Sequence, residues 1–93
     1  MALFVIICKD KSGALDTRLA TRPVHLDYLN DSGLVKAAGP LLSDEGKPTG
    51  SLLIIEAEDK AAVQALLDND PYTAARVFES TEIHPWRVGV GSL

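Results

Sequence analysis

The sequence predicts an α+β domain of order β-α-β-β-α-β, and three observations carry that prediction. Two short runs, Leu3–Cys8 (LFVIIC) and Ser51–Ala57 (SLLIIEA), are dense in β-branched and aliphatic residues, the pattern of strands covered on both faces. Between them, Leu15, Leu19, Leu26 and Leu29 recur at i, i+4, i+11 and i+14, one narrow stripe at about 100° per residue. Beyond the second run, KAAVQALLDND starts behind an aspartate and stops at Asp70-Pro71, a cap and a breaker.

The first strand is bounded by the charges of Lys9-Asp10-Lys11 and by Gly13. The leucine stripe defines the first helix, and Gly33 ends it as a C-terminal cap. Pro23 lies inside that helix and removes one hydrogen bond. The stripe keeps its phase across Pro23, so one kinked helix is expected rather than two pieces. Leu34–Leu42 reads as the second strand, with Gly39-Pro40 marking an edge or a bulge, because proline donates nothing to a ladder. The turn-forming stretch SDEGKPTG joins it to the third strand as a hairpin. Asp59 caps the second helix, which buries Ala62, Val63 and Leu66. Val77–Val88 is the fourth strand.

This order is the split β-α-β, or ferredoxin-like, motif: a four-stranded antiparallel sheet with both helices on one face. The other face then lies bare, although strands one and three are apolar at nearly every position. A second copy of the sheet is its simplest cover. Residues such as Phe4, Ile6, Leu53 and Ile55 are expected at that contact, the facing parity being open.

At 93 residues the chain fits one domain, residues 1–93, with a thin stability margin. A net charge of −4 disfavours nucleic acid as a partner, since a phosphate backbone needs a basic face. The apolar start is too short for a signal peptide, and no segment approaches the roughly 20 apolar residues that span a bilayer. The single cysteine, Cys8, forbids an internal disulfide and fits a reducing compartment. A cytoplasmic protein that does not bind membranes is the expectation. Two histidines and one cysteine outside ligand spacing give no metal site, and no phosphate loop or dinucleotide fingerprint calls for a cofactor.

Arg18, Arg22 and His25 fall at i, i+4 and i+7, along one side of the first helix at the margin of the leucine stripe. They form either an anion-attracting wall with an imidazole in it, or a solvated basic edge. Asp70 either orients and polarises His25, leaving the second ring nitrogen free for proton transfer, or caps a short helix starting at Pro71. Both roles are compatible. Tyr28 and Tyr72 line a pocket or fill the core. His84 is a strand histidine, a ligand or merely packed, and Cys8 reads as a buried thiol.

Four stretches together resemble one family. Arg18-Leu-Ala-Thr-Arg22-Pro23-Val-His25-Leu26-Asp-Tyr28-Leu29 resembles the signature helix of the YciI-like (YCII-related) family. Gly33-Leu34 with Ala38-Gly39-Pro40-Leu41 is similar to its second strand, Asp70-Pro71-Tyr72 to its Asp-Pro-aromatic turn, and Glu82-Ile83-His84-Pro85-Trp86 to its closing strand. The resemblance implies a dimeric α+β barrel, two ferredoxin-like sheets face to face. It implies that His25 and Asp70 match the family's proposed active-site histidine and aspartate. Members have been linked to dehydrochlorination of chlorinated aromatics, and many have no assigned activity. Two functions are therefore expected to compete. One is a cofactor-free enzyme in which His25 moves a proton, Asp70 steadies it, and Arg18, Arg22 and Tyr28 hold a small anionic or aromatic substrate. The other is a non-catalytic dimeric module that binds a small metabolite or a protein.

Overall fold

In the computed structural model, which describes residues Met1–Leu93, the strand-forming runs make one antiparallel sheet. Strand β1 (Ala2–Asp10) pairs with β3 (Pro48–Ala57) on one side and β4 (Phe78–Trp86) on the other, and β2 (Val35–Leu42) lies outside β3. The strand order β2-β3-β1-β4 is that of the ferredoxin-like fold. Three helices complete the chain: α1 (Leu15–Ser32), α2 (Lys60–Asp68) and the single turn α3 (Pro71–Ala74).

The period of two along each strand decides what the sheet buries. Phe4, Ile6 and Cys8 of β1 register with Ile55, Leu53 and Ser51 of β3, and all six are buried. They meet Leu29 of α1 and Val63, Leu66 and Leu67 of α2 in one core. The opposite parity, Leu3, Val5 and Ile7 with Leu52 and Ile54, faces away from the helices. The self-contact residues expected from sequence, Phe4, Ile6, Leu53 and Ile55, thus belong to the internal core. Strand parity is invisible until the helices choose a side.

Helix α1 runs unbroken through Pro23 and ends at Gly33, which takes the left-handed conformation at φ 71°. Its inward face differs from the expected one. Leu19 is 51% exposed and Leu26 36% exposed, while Arg18, His25 and Leu29 are buried. Ala14, Arg18 and His25 each precede a stripe leucine by one residue and are buried together with Leu29, so the inward face is rotated toward the polar side of the helix by less than one residue step. Polar groups can take this face because each has a buried partner, described below. Leu19 and Leu26 instead border a cleft between α1 and the β2–β3 hairpin.

Strand β2 is an edge strand, which accommodates Pro40 opposite Ser51, and its ladder shifts register on either side, at Val35/Ala37 and Leu41/Leu42. Strand β3 starts three residues earlier than its apolar run, at Pro48, leaving a tight turn closed by Ser43 and Lys47. Gly50 lets β1 and β3 approach closely: a Cβ there would sit 2.2 Å from the carbonyl oxygen of Cys8. Gly50→Ala is expected to destabilise the protein by about 2 kcal/mol or more, since main chain must move to relieve the overlap. A denaturant midpoint equal to wild type would contradict this.

Asp59 caps α2 by accepting from the Ala62 amide at 2.9 Å, as its position before the helix predicts. No helix is long and apolar enough to cross a membrane.

Candidate active site

Asp70 joins α2 to α3. The residue before a proline favours extended backbone, and Asp70 adopts it at φ −67°, ψ 133°. That conformation leaves its side chain free to cap α3, and Oδ1 accepts from the Tyr72 amide at 2.9 Å. The same oxygen lies 2.8 Å from Nδ1 of His25. The cap and the imidazole contact are therefore one arrangement. His25 and Asp70 are 45 residues apart in sequence and meet because α1 and the α2–α3 corner cover the same face of the sheet. Both side chains are buried, at 6% and 1% exposure.

An ionised Asp70 accepts from Nδ1–H, which leaves the lone pair of a neutral ring on Nε2. Nε2 has no protein hydrogen-bond partner. No buried side-chain polar atom is both sealed from solvent and unpartnered, so Nε2 opens onto the cleft that His25 lines. The ring is held in a second way. It stacks on Tyr72 with centroids 3.7 Å apart and planes 12° apart, and Tyr72 meets Phe78 edge-on at 5.8 Å.

Arg18 departs from its expected place at the solvent rim. It is 3% exposed; Nε donates to Asp10 Oδ2 at 2.7 Å and Nη2 to Asp10 Oδ1 at 3.0 Å. Nη2 also donates to Ser51 Oγ at 2.6 Å, and the guanidinium carbon lies 4.6 Å from the Tyr72 ring centroid. A bidentate carboxylate pair of this kind makes burial of the charge tolerable. Arg22 is exposed and lines the same cleft.

The cleft has a volume of about 130 Å³, close to the ~150 Å³ of engineered cavities that admit benzene. Its polar groups come from Arg18, Arg22, His25, Ser51 and Tyr72, and its apolar walls from Leu19, Leu26, Pro40, Pro48 and Leu53. Tyr28 is not among them. Its hydroxyl donates to the Leu66 carbonyl at 2.6 Å, tying α1 to α2, so its expected place on the substrate is corrected to a helix–helix tether. His84 lies exposed on β4, 3.7 Å from Glu82. No three His, Cys, Asp or Glu side chains group as metal ligands.

Ser51, which lines the cleft, and Asp10, which holds Arg18 from behind, are residues that sequence reasoning passed over. Ser51 had a usable signal: a hydroxyl on the same parity as Leu53 and Ile55 needs a buried partner.

Burial pushes the Tyr72 and Tyr28 phenols above their ordinary value, and the Asp70 charge adds to this in both. In Tyr72, Arg18 and Arg22 pull the other way. The Cys8 thiol is pushed up to about 12, chiefly by burial and then by the Asp70 charge. A raised thiol favours the folded state while it stays protonated. Its contribution is intact below the ordinary value of 9.0 and fades as pH rises toward about 12. Thiol reagents at pH 8 are expected to leave Cys8 unmodified until the chain unfolds, and Cys8→Ala to reduce the loss of stability between those limits. Rapid labelling of the native protein would contradict the first expectation.

With this geometry in place, comparison with known proteins is decisive for the family. The YCII-related domain matches residues 2–87. The chain belongs to the YCII-related family. Protein YciI of Escherichia coli and of Shigella flexneri are each 40% identical to it over 94 residues, covering 91% of this chain and 96% of theirs. Among solved structures, the 5-chloro-2-hydroxyhydroquinone dehydrochlorinase TftG of Burkholderia phenoliruptrix, in complex with 2,5-dihydroxybenzoquinone, superposes with a TM-score of 0.85. It is 36% identical, covering 94% of this chain and 95% of that one. An antibiotic biosynthesis monooxygenase shares the fold at 15% identity and a TM-score of 0.60, over 95% of this chain and 98% of that one.

Proposed function

We propose that this YCII-related protein is a small enzyme that catalyses elimination or isomerisation on an anionic or aromatic metabolite by proton transfer alone. The observation that carries the proposal is the buried His25–Asp70 contact at 2.8 Å with Nε2 facing a cleft of single-ring size. In an elimination, Nε2 takes a proton from the substrate, the electron pair of that bond moves into the ring or chain, and an anionic leaving group departs. The imidazolium so formed is stabilised by Asp70, and the group then returns its proton to water. Nothing is oxidised or reduced overall, so the balance needs no redox cofactor. Isomerisation uses the same group twice, as base and then as acid. The similarity to a dehydrochlorinase at 36% identity supports the elimination form and a hydroxylated, halogenated ring as substrate.

The test is a panel of chlorinated catechols and hydroquinones, with chloride release and ring absorbance followed together. Stoichiometric chloride for each substrate consumed is the expected result. No consumption of any halogenated or isomerisable ring by folded protein would overturn the proposal.

The reading includes a homodimer. Leu3, Val5, Ile7, Leu52 and Ile54 share the sheet face that no helix of this chain covers, and an apolar face of that size favours a partner. Sedimentation at micromolar concentration is expected to give twice 9.9 kDa, and Ile54→Asp to give the monomer. A strict monomer at high concentration would remove the barrel.

A further inference from the structure

We propose that the hollow between the C-terminal half of α1 and the start of β2 is a second subsite, which takes an uncharged alkyl or aryl substituent of the ring bound in the cleft. This narrows the substrate class of the proposed function and rests on that reading for the ring and its reaction, but not for the binding event.

Strand β2 supplies the first observation. Ala38 and Pro40 register with Leu53 and Ser51, which are buried on the helix-covered face, so the period of two turns Ala38 and Pro40 toward α1. Both are nonetheless exposed, as is every residue of β2 after Val35. Helix α1 therefore does not close over the strand, and a trench runs between them. One end of the trench is the cleft at His25, of about 130 Å³. The other end, toward Gly33, is a hollow of about 280 Å³. Leu26 of α1 and Ala38 of β2 line both, so the two meet at this pair, where one flexible leucine faces a methyl group. An apolar chain leaving the cleft beneath Leu26 gives that half-exposed leucine the burial it lacks in the free protein.

The lining of the hollow indicates what it takes. Leu29, a core residue, and Val35, packed against that core, form its apolar wall with Leu26. Lys36 is the one ionisable side chain in the lining. Its Nζ lies 3.5 Å from Glu56, so its charge is already answered and the hollow offers no free cation. A charged substituent would give up water for a neutralised pair, whereas an apolar one gains contact with three aliphatic side chains. From Leu26 to Asn30 is one turn of α1, about 6 Å along its axis and the reach of about four carbons. Both ends of the trench are walled by α1. A second copy seated on the bare face of the sheet therefore leaves them open.

The test is the affinity of a 4-alkylcatechol series, methyl to hexyl, measured by isothermal titration calorimetry. These rings carry no leaving group, so they report binding alone. Each methylene buried is worth about 4-fold in affinity. Wild-type protein is expected to gain about that factor per carbon as far as butyl and to level off beyond it. Asn30 is exposed at the rim, so Asn30→Trp fills the hollow without disturbing the core, and circular dichroism checks its fold. Within that variant the butyl compound should bind no better than the methyl one. A carboxylate at the end of the butyl chain should weaken binding to wild type; tighter binding would make the uncharged assignment wrong. If affinity in wild type does not rise with chain length, or if Asn30→Trp keeps the wild-type rise, the subsite falls. It falls too if no member of the series binds. A flat series in a protein that releases chloride from chlorinated rings would remove the subsite and leave the proposed function standing. A rising series in a protein that turns over no ring would uphold the subsite while removing the acid–base reading.

Discussion

Replacing His25 with Gln is expected to lower kcat/KM by about 10²–10⁴-fold on any substrate of the wild-type protein, the usual contribution of one positioned acid–base group. Gln fills similar space and can still donate to Asp70, so the fold should survive. Asp70→Asn separates charge from geometry. Asn caps a helix about as well as Asp and can still accept from Nδ1–H and from the Tyr72 amide, now 2.8 and 2.9 Å from Oδ1. What it removes is the negative charge that stabilises the imidazolium. Its activity should therefore fall between wild type and His25→Gln, with the loss in kcat rather than KM. The two variants act through one unit, so the double variant should be no slower than His25→Gln alone. Full additivity of the two losses would mean that the residues work independently, whatever their contact.

The second large effect is on stability. Arg18→Ala leaves Asp10 with its side chain 7% exposed and no counter-charge. Breaking a buried pair from one side costs about 3–5 kcal/mol. In a domain of this size that lowers Tm by roughly 12 °C or more, at about 4–8 °C per kcal/mol. Replacing both partners with apolar residues, Asp10→Leu with Arg18→Met, should recover most of the loss, because no charge is then stranded. If the single and double variants melt together, the pair is incidental to stability and its burial has another cause.

How far the sequence anticipates this molecule depends on the kind of information each feature needs. Strand order follows from local signals: β-branched runs, a helix between them, caps at Asp59 and Gly33. All are read within a few residues, and the structure has them in place. The inward face of α1 required more. Leu15, Leu19 and Leu26 outline a convincing apolar stripe, yet the helix turns Arg18 and His25 inward. Two carboxylates from elsewhere in the chain, Asp10 and Asp70, compensate that burial. Hydrophobic periodicity cannot see a polar core whose partners lie 8 and 45 residues away. For the same reason Tyr28 read as a pocket residue: its acceptor, the Leu66 carbonyl, belongs to another helix. Sheet parity was equally hidden, since Phe4 and Val5 look alike until a helix lies over one of them.

The dual use of Asp70 explains how so small a chain holds the His25–Asp70 contact in place. A carboxylate that only oriented an imidazole would need its own supporting bonds. Here the helix start supplies one through the Tyr72 amide. Pro71 fixes the backbone that aims it, and Tyr72 lies under the imidazole. Three consecutive residues therefore set both position and orientation of His25. Changes anywhere in Asp70-Pro71-Tyr72 are expected to move the imidazole before they unfold the protein.

The most direct test of the His25–Asp70 unit is imidazole nitrogen NMR on histidine-labelled protein, with exposed His84 as the internal reference. Neutral His25 is expected to carry its proton on Nδ1, to leave Nε2 unprotonated, and to show a shift at Nε2 alone when a substrate analogue enters the cleft. Asp70→Asn should leave the tautomer in place and move the Nδ1 resonance, while His84 stays as it was. A His25 that holds its proton on Nε2, or whose nitrogens ignore both ligand and Asp70→Asn, would contradict proton transfer by this pair.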